Sequence, residues 1–286
     1  MPHSMNQPCI PYVFCSDPNY LDITLVAMRS LAISNPVDLT CFLVTTEPMG
    51  ELHLNQFQAL SKAYNFNLTL KISENNFLSS LPVTAHITYA TYLKTTLPEM
   101  FPEFDRLIYL DSDIIVTKDI GKLKTINLAE NLVAAVPEHI PERMRTLEIQ
   151  NYFNAGVLVF NAKKWRENDT LKKIALFSQE DPARICYADQ CALNKVVNGY
   201  IQPIDPTYNY LLNARAPIPR NLFDDIKIFH FNGRLKPWHE KSPRFHRRLW
   251  NYYGIDRAEP ITKDLMFPWP RISANGLAGY LLRTFN

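Results

Sequence analysis

Short apolar runs alternate with helical patterns through the first 110 residues of the chain. The run Tyr12-Val13-Phe14-Cys15 is typical of a buried strand, and it is followed by apolar residues at helical spacing. The same alternation continues with predicted strands at 39–45, 66–72 and 106–110 and predicted helices at 52–64 and 85–97. Strands that alternate with helices predict a largely parallel α/β sheet with helices on both faces.

Two carboxylates interrupt the apolar stretch DRLIYLDSDIIV, residues 105–116. Asp111 and Asp113 directly follow a predicted strand, and ligands of such sheets bind outside the carboxyl ends of the strands. Because a buried carboxylate is costly, a metal ion, a basic partner or exposure must compensate the charge. If the chain turns at Ser112, both carboxylates face one site. The Asp-x-Asp motif alone is weak evidence, since short acidic motifs recur by chance.

The segment FCSDPNY follows the first predicted strand and therefore belongs at the same edge of the sheet. Asp17 and Asn19 offer hydrogen bonds to the edge of a nucleotide base, and Tyr20 offers a stacking face. A turn built on the Asp-Pro pair is the plainer interpretation of the same residues.

Two segments in the second half carry further polar groups. In YFNAGVLVFNAKKW, the step Asn154-Ala155-Gly156 stands ahead of a predicted strand, where glycine permits either a close approach to a ligand or a tight turn. In YADQCALN, Asp189 and Gln190 open a helical pattern, and capping of the helix by Asp189 is the simpler alternative.

The segment IKIFHFNGRLKPWH combines a histidine, a glycine and a lysine. His230 ends an apolar run, and Gly233 and Lys236 follow it. A single histidine is more often structural. Together with two carboxylates, however, a histidine at a strand end and a nearby lysine suit a site for a metal ion and a phosphate.

In combination these segments resemble glycosyltransferase family 8, whose members are retaining nucleotide-sugar transferases. The resemblance extends over 12–239 and is strongest to the bacterial lipopolysaccharide and lipooligosaccharide galactosyl- and glucosyltransferases, which combine YFNAGV, a helix with Asp-Gln and GxxKPWH. It implies a single GT-A domain, a Rossmann-like αβα sandwich over 1–239, followed by a basic and aromatic helical tail over 240–286.

The resemblance also implies roles for individual residues. The metal ligands of Mn²⁺ or Mg²⁺ are Asp111, Asp113 and His230. The nucleotide-sugar contacts are Asp17, Asn19, Tyr20, His86, Lys94, Asp111, Ser112, Asn154, Asp189, Gly233 and Lys236. The catalytic groups are Gln190, Asp189 and Lys236. Lys94 stands where arginine is usual, and Cys191 stands where the family has a second aspartate, which leaves the donor sugar and the acceptor open.

The implied activity is transfer of galactose or glucose from a UDP-sugar to a saccharide or glycolipid acceptor, with retention, in the synthesis of lipopolysaccharide or a related surface glycan. Front-face attack is favoured over double displacement, because the amide of Gln190 is a poor nucleophile. Two alternatives stay open: glycogenin-like self-glucosylation, for which Tyr280 is a candidate acceptor, and nucleotide-sugar binding without turnover.

Composition indicates the cellular location in which such an activity is expected. A hydrophobic fraction of 47% and a charged fraction of 20% are typical of a folded soluble protein. The start of the chain lacks a signal-peptide pattern and no apolar run approaches the length of a membrane span, so a cytoplasmic location is expected. The five scattered cysteines suggest free thiols. No nucleic-acid partner is expected.

The tail over 240–286 carries eight lysine and arginine residues against four acidic ones. Its aromatic residues are Phe245, Trp250, Tyr252, Tyr253, Phe267, Trp269, Tyr280 and Phe285. Basic and aromatic side chains together suit peripheral contact with an anionic surface, here the cytoplasmic face of the inner membrane. Packing of the aromatics onto the main domain is the alternative.

Overall fold

Helices and strands alternate along most of the chain, as a computed structural model shows for residues 9–73, 89–181, 184, 188–212, 218–255 and 259–266. The strands are β1 Tyr12–Ser16, β2 Thr40–Thr45, β3 Asn67–Ile72, β4 Arg106–Leu110, β5 Ile114–Val116, β6 Val133–Pro137, β7 Phe153–Asn161, β8 Ile201–Pro203, β9 Tyr210–Leu211 and β10 Ile228–His230. The helices are α1 Leu21–Ser34, α2 Glu51–Ala63, α3 Tyr89–Met100, α4 Pro141–Leu147, α5 Ala162–Glu167, α6 Thr170–Glu180, α7 Ala188–Val196, α8 Arg244–Tyr253 and α9 Lys263–Met266.

A seven-stranded sheet in the order β3-β2-β1-β4-β7-β6-β8 forms the centre of the fold. β1 pairs in parallel with both β2 and β4, so the strand order reverses at β1. In open α/β sheets the crevice beside such a reversal is where ligands bind. The carboxyl ends of β1 and β4 therefore define the edge at which a site is expected.

Each face of this sheet is covered by helices, because alternate residues of the central strands point to opposite sides. Phe14 and Ile108 belong to a core shared with α1 and α2. Val13 and Leu107 belong to a second core, on the other side of the sheet, shared with α3, α5, α6 and α7. The result is the αβα sandwich that the alternation of apolar runs predicts.

A second, three-stranded sheet extends the site edge. Its order is β5-β10-β9, with β10 antiparallel to β5 and parallel to β9. β5 begins directly after Asp113, so the Asp-Ser-Asp loop joins the large sheet to the small one. This pairing brings a strand from late in the chain, β10, next to that loop.

Two features differ from the sequence predictions. The sheet is largely parallel, as predicted, with four parallel pairings out of six, but β7 runs antiparallel to both of its neighbours, β4 and β6, which the sequence did not indicate. The step Asn154-Ala155-Gly156 lies inside β7 and not ahead of it, since β7 begins at Phe153. An apolar run alone does not reveal strand direction or where pairing starts.

The first part of the predicted tail packs on the rest of the fold. Helix α8 buries Leu249, Trp250 and Tyr253 in a core with Phe229 and Phe231. Residues 267–286, which carry most of the remaining predicted tail, lie outside the described residues, so a division at 239/240 stays a prediction. No helix in the described part of the chain is both long and apolar enough to cross a membrane.

Replacing Trp250 should test whether α8 is part of the core. The Trp250 ring is 5% exposed and lies 4.9 Å from the ring of Trp238 and 5.6 Å from that of Phe231. We expect Trp250→Ala to lower the free energy of unfolding by about 3–5 kcal/mol, measured by urea denaturation. Arg248→Ala, on the exposed side of α8, is the control and should change it by less than about 0.5 kcal/mol.

Candidate active site

Asp111 and Asp113 lie in the loop between β4 and β5, at the crevice beside β1. The backbone N–H of Asp111 donates to Gly156 O at 2.8 Å, which ties the loop to β7. The buried hydroxyl of Ser112 lies 2.8 Å from Thr24 Oγ1 and donates to Cys15 O at 3.2 Å. Ser112 therefore anchors the loop underneath, while the two carboxylates point into the crevice on either side of it.

His230 completes a group of three side chains that could hold a metal ion. β10 pairs with β5 so that His230 stands opposite Ile114, one residue beyond Asp113. His230 Nε2 lies 3.3 Å from Asp113 Oδ1 and 3.7 Å from Asp111 Oδ2, and the ligand atoms of all three residues lie within 4.8 Å of one another. Two carboxylates and one imidazole form a donor set that suits Mn²⁺ or Mg²⁺.

Gly156 makes room for this group. A Cβ atom at position 156 would lie 2.4 Å from His230 Cε1 and 2.9 Å from Asp111 Oδ2, closer than any side chain tolerates. The glycine is therefore explained by the close approach of two protein side chains, not by a turn. Of the two explanations that the sequence allows, close approach applies, although its partners are side chains of the chain itself.

Two lysines neutralise the carboxylates. Lys94 Nζ lies 3.1 Å from Asp111 Oδ1 and 3.1 Å from Asp189 Oδ2. Burial would lower the pKa of Lys94, but the two carboxylates outweigh it and raise that pKa above its usual value. Lys236 Nζ donates to Asp113 Oδ2 at 2.5 Å. For a carboxyl group the effect of burial is opposite: it would raise the pKa of Asp113, but His230 and Lys236 hold that pKa well below its usual range.

Tyr109 is a contact of Asp111 that the sequence analysis missed. Its hydroxyl donates to Asp111 Oδ1 at 2.5 Å, and its ring lies under the Lys94 ammonium at 4.9 Å. Tyr109 and Lys94 therefore occupy Oδ1, while Oδ2 of the same carboxylate faces His230. The spacing of Tyr109 and Asp111 could have indicated this contact, because side chains two residues apart along an extended chain point to the same face.

Asp189 and Gln190 lie in the first turn of α7 and differ in what they offer. Both ends of the Gln190 amide are engaged: Oε1 accepts from the backbone N–H of Ala155 at 3.1 Å, and Nε2 donates to Tyr152 Oη at 2.9 Å. Asp189 is buried, and its Oδ2 is held by the Lys94 ammonium at 3.1 Å. Gln190 is thus held by the backbone and a tyrosine, whereas Asp189 is held by a charged lysine.

The remaining predicted residues that the structure describes lie around the same crevice. Asp17 accepts from the backbone N–H of Asn19 at 2.8 Å, which confirms the plainer turn interpretation, while contact with a nucleotide base stays a prediction. Tyr20 is 37% exposed, and its ring lies edge-on to that of Trp238, at 6.1 Å. Gly233 has a φ of +94°, a conformation that favours glycine. His86 lies outside the described residues.

Asn154 and Asn209 form a hydrogen-bonded pair behind His230. Asn154 Oδ1 accepts from Asn209 Nδ2 at 2.8 Å, and Asn209 Oδ1 lies 2.9 Å from His230 Nδ1. Asn209, which is 2% exposed, is a second residue that the sequence analysis missed. No local pattern marks it, because it reaches the site through the pairing of β9 with β10.

The chain matches the model of glycosyl transferase family 8 over residues 11–242. It is 30% identical to the lipopolysaccharide 1,3-galactosyltransferase of Salmonella typhimurium over 240 residues, which cover 78% of this chain and 71% of the relative. It is 25% identical to the lipopolysaccharide glucosyltransferase WaaO of Escherichia coli over 248 residues, which cover 81% of this chain and 73% of the relative.

A solved structure supports the same fold. The galactosyltransferase LgtC in complex with donor and acceptor sugar analogues matches with a TM-score of 0.74 at 22% identity, over 86% of this chain and 95% of that one. The fold is therefore the GT-A type that the sequence motifs imply. The fold and the site define a glycosyltransferase. The chain belongs to glycosyl transferase family 8.

Replacing Gly156 by alanine should damage the metal site, because the new methyl group must displace His230 or Asp111. We expect Gly156→Ala to weaken Mn²⁺ binding by about 10- to 100-fold, as when groups that orient metal ligands are disturbed. Calorimetric titration of Mn²⁺ in the presence of UDP measures this change.

Gly50→Ala is the matched control, because a Cβ at position 50 meets nothing within 4 Å. It should bind Mn²⁺ like the unaltered protein. Wild-type affinity in Gly156→Ala would show that the side chains around position 156 do not form the metal site.

Proposed function

We propose that this protein is a metal-dependent, retaining hexosyltransferase that moves galactose or glucose from a UDP-sugar to a saccharide or glycolipid acceptor. The observation that carries the proposal is the group of Asp111, Asp113 and His230, with Lys236 beside it, at the point where the strand order reverses. The names of the Salmonella and E. coli relatives support a role in the synthesis of lipopolysaccharide or a related bacterial surface glycan.

The leaving group of such a transfer is a nucleoside diphosphate that gains negative charge. When bound by Asp111, Asp113 and His230, Mn²⁺ or Mg²⁺ supplies a Lewis acid for the diphosphate oxygens. Lys236 exchanges its contact with Asp113 Oδ2 for a phosphate oxygen and adds a second positive charge. Because the leaving group is then stabilised, no strong general acid is needed at this site.

The donor is held by residues on three sides of the crevice. Asp17, Asn19 and Tyr20 contact the uridine, supported by the exposure of Tyr20 at the crevice. Ser112, Gly233 and His86 belong to the same predicted set of nucleotide contacts. Asp189, which Lys94 holds at the crevice, accepts a hydrogen bond from a sugar hydroxyl.

Two positions at which this chain departs from the family pattern affect the donor differently. Lys94 makes point contacts with two carboxylates where an arginine would offer a planar fork, so its contact with the sugar is single. Cys191 is fully buried and packs with Leu147, Ile149 and Tyr152. The cysteine therefore acts through packing behind the site rather than through contact with the sugar.

Retention proceeds by front-face attack of the acceptor hydroxyl within an oxocarbenium-like ion pair. A double displacement needs a nucleophile on the β-face of the sugar. Gln190 Oε1 is already held by the backbone N–H of Ala155, and Asp189 is tied to Lys94, which supports the front-face route. A sugar attached covalently to Gln190 or Asp189, detected by mass spectrometry, would contradict this route.

Incubation with a panel of UDP-sugars, Mn²⁺ and saccharide acceptors should release UDP with one UDP-hexose. EDTA, Asp113→Ala and His230→Ala should each reduce the rate by at least about 100-fold, because they remove the charge that stabilises the leaving group. The anomeric configuration of the product, measured by NMR, should equal that of the donor.

Glu130→Ala, an exposed carboxylate away from the crevice, is the control and should react at the wild-type rate. Intact-mass measurement distinguishes transfer to an acceptor from self-glycosylation, in which the mass of the protein itself increases. Binding of UDP-hexose without release of UDP would support the non-catalytic alternative, and full activity in EDTA would contradict the metal mechanism.

Peripheral contact with the cytoplasmic face of the inner membrane is the second part of the proposal. Arg244, Arg247 and Arg248 lie on the exposed side of α8, and Phe245 is 39% exposed beside them. Each basic residue near an anionic surface contributes about 1 kcal/mol, which is enough in sum for reversible association. This face supports the membrane interpretation, whereas Trp250 and Tyr253 on the other side of α8 are core residues.

Replacing Arg244, Arg247 and Arg248 by glutamine should lower sedimentation with anionic liposomes, and high salt should have the same effect because it screens the attraction. A truncation after Met266 tests the rest of the tail and keeps Ile261 and Met266, which belong to the core with α8. Lys172→Gln with Lys173→Gln, on α6, is the control for loss of charge alone. Equal sedimentation of all forms would contradict membrane contact.

A further inference from the structure

Four groups form a continuous hydrogen-bonded chain behind the metal site. The backbone N–H of Gly156 donates to Asn154 Oδ1 at 2.9 Å, and Asn209 Nδ2 donates to the same oxygen at 2.8 Å. Asn209 Oδ1 lies 2.9 Å from His230 Nδ1. The side chains of all three polar residues are buried, so water does not compete for these bonds.

The direction of every bond in this chain follows from its first member. A backbone N–H can only donate, so the Asn154 atom that faces Gly156 must be the carbonyl oxygen. That oxygen can only accept, so the Asn209 atom that faces it must be the amide nitrogen, and the other end of Asn209 is an oxygen. An oxygen can only accept, so His230 Nδ1 must carry a proton.

A protonated Nδ1 leaves Nε2 of the neutral ring as the atom with a lone pair. Nε2 is the ring atom that faces the carboxylates, at 3.3 Å from Asp113 Oδ1 and 3.7 Å from Asp111 Oδ2. A histidine binds a metal ion through such a lone pair, and the hydrogen bond on the other ring nitrogen selects which atom is available. Neutral histidine in water prefers the opposite form, with the proton on Nε2.

We propose that Asn209 is a positioning residue that fixes the tautomer of His230, with its own amide oriented by Asn154 and the backbone N–H of Gly156. The proposal rests on the metal site of the proposed function and assigns roles to residues that do not touch the ion. Asn154 accordingly acts on the metal site as well as lying near the donor sugar.

Three variants separate this role from a merely structural one. Asn209→Leu has a similar volume and no hydrogen bond for the ring. Asn209→Asp keeps an oxygen that accepts from His230 Nδ1 but cannot donate to Asn154. Asn35→Leu is the matched control, because Asn35 is also buried, on the far side of the fold, where it bonds to Leu31 O and the N–H of Ile120.

The first measurement is ¹⁵N NMR of the imidazole rings at a pH high enough that the His230 ring is neutral. The chain has seven histidines, so the His230 signals are assigned by their loss in His230→Gln. We expect the Nδ1–H form in the wild type, in Asn209→Asp and in Asn35→Leu. In Asn209→Leu we expect the Nε2–H form to dominate.

The second measurement is calorimetric titration of Mn²⁺ with UDP present. Asn209→Leu should bind Mn²⁺ about 10- to 100-fold more weakly, the range for loss of a group that orients a metal ligand. Asn209→Asp should restore most of that affinity, and Asn35→Leu should lower the melting temperature without lowering the affinity for Mn²⁺.

An Nε2–H ring in the wild type would overturn the proposal whatever the variants do, including a variant that fails to fold. Equal losses of Mn²⁺ affinity in Asn209→Leu and Asn35→Leu would also overturn it, because general destabilisation would then be sufficient. A wild type with the Nδ1–H form but no affinity for Mn²⁺ would refute the metal site of the proposed function. Asn209 would then fix the tautomer of His230 without serving metal binding, which also overturns its role as a positioning residue for a metal ligand.

Discussion

Compensation of negative charge at the crevice beside β1 is the constraint on which the site depends. Asp111, Asp113 and Asp189 lie within reach of two lysines, Lys94 and Lys236, and three carboxylates exceed two ammonium groups by one negative charge. Each lysine occupies one oxygen of a carboxylate and leaves the other oxygen facing His230. One net negative charge is left at the crevice, which favours a cation there and is consistent with the proposed metal-dependent function.

The mixed topology of the large sheet makes this arrangement possible. β7 runs antiparallel between β4 and β6, so its beginning, rather than its end, reaches the edge where β4 ends. Gly156 there accepts the close approach of His230 and Asp111, and its N–H starts the chain of bonds through Asn154. A parallel strand at this position would present its carboxyl end to the edge, so different residues would stand beside His230.

The strands β1 to β4, the helices α1 to α3 and the juxtaposition of Asp111, Asp113 and His230 could be predicted because each has a local signal: an apolar run, helical spacing or a polar residue at a strand end. Tyr109 has such a signal as well, two residues before Asp111 on one face of β4. Asn209 has none, because its role depends on the pairing of β9 with β10. The antiparallel direction of β7 could not be predicted from the sequence either, since an apolar run does not indicate how a strand is oriented relative to its neighbours.

The late position of His230 has a consequence for biosynthesis. The ribosome releases the chain from its N-terminus, so Asp111, Asp113 and Gly156 emerge long before β10, which ends at His230. A nascent chain can thus assemble most of the large sheet while His230, the third member of the candidate metal group, is still missing. An ion held by all three side chains would be bound only after β10 pairs with β5. Such an ion would add stability by mass action only at the end of folding, and bound metal would then mark chains in which β10 has formed.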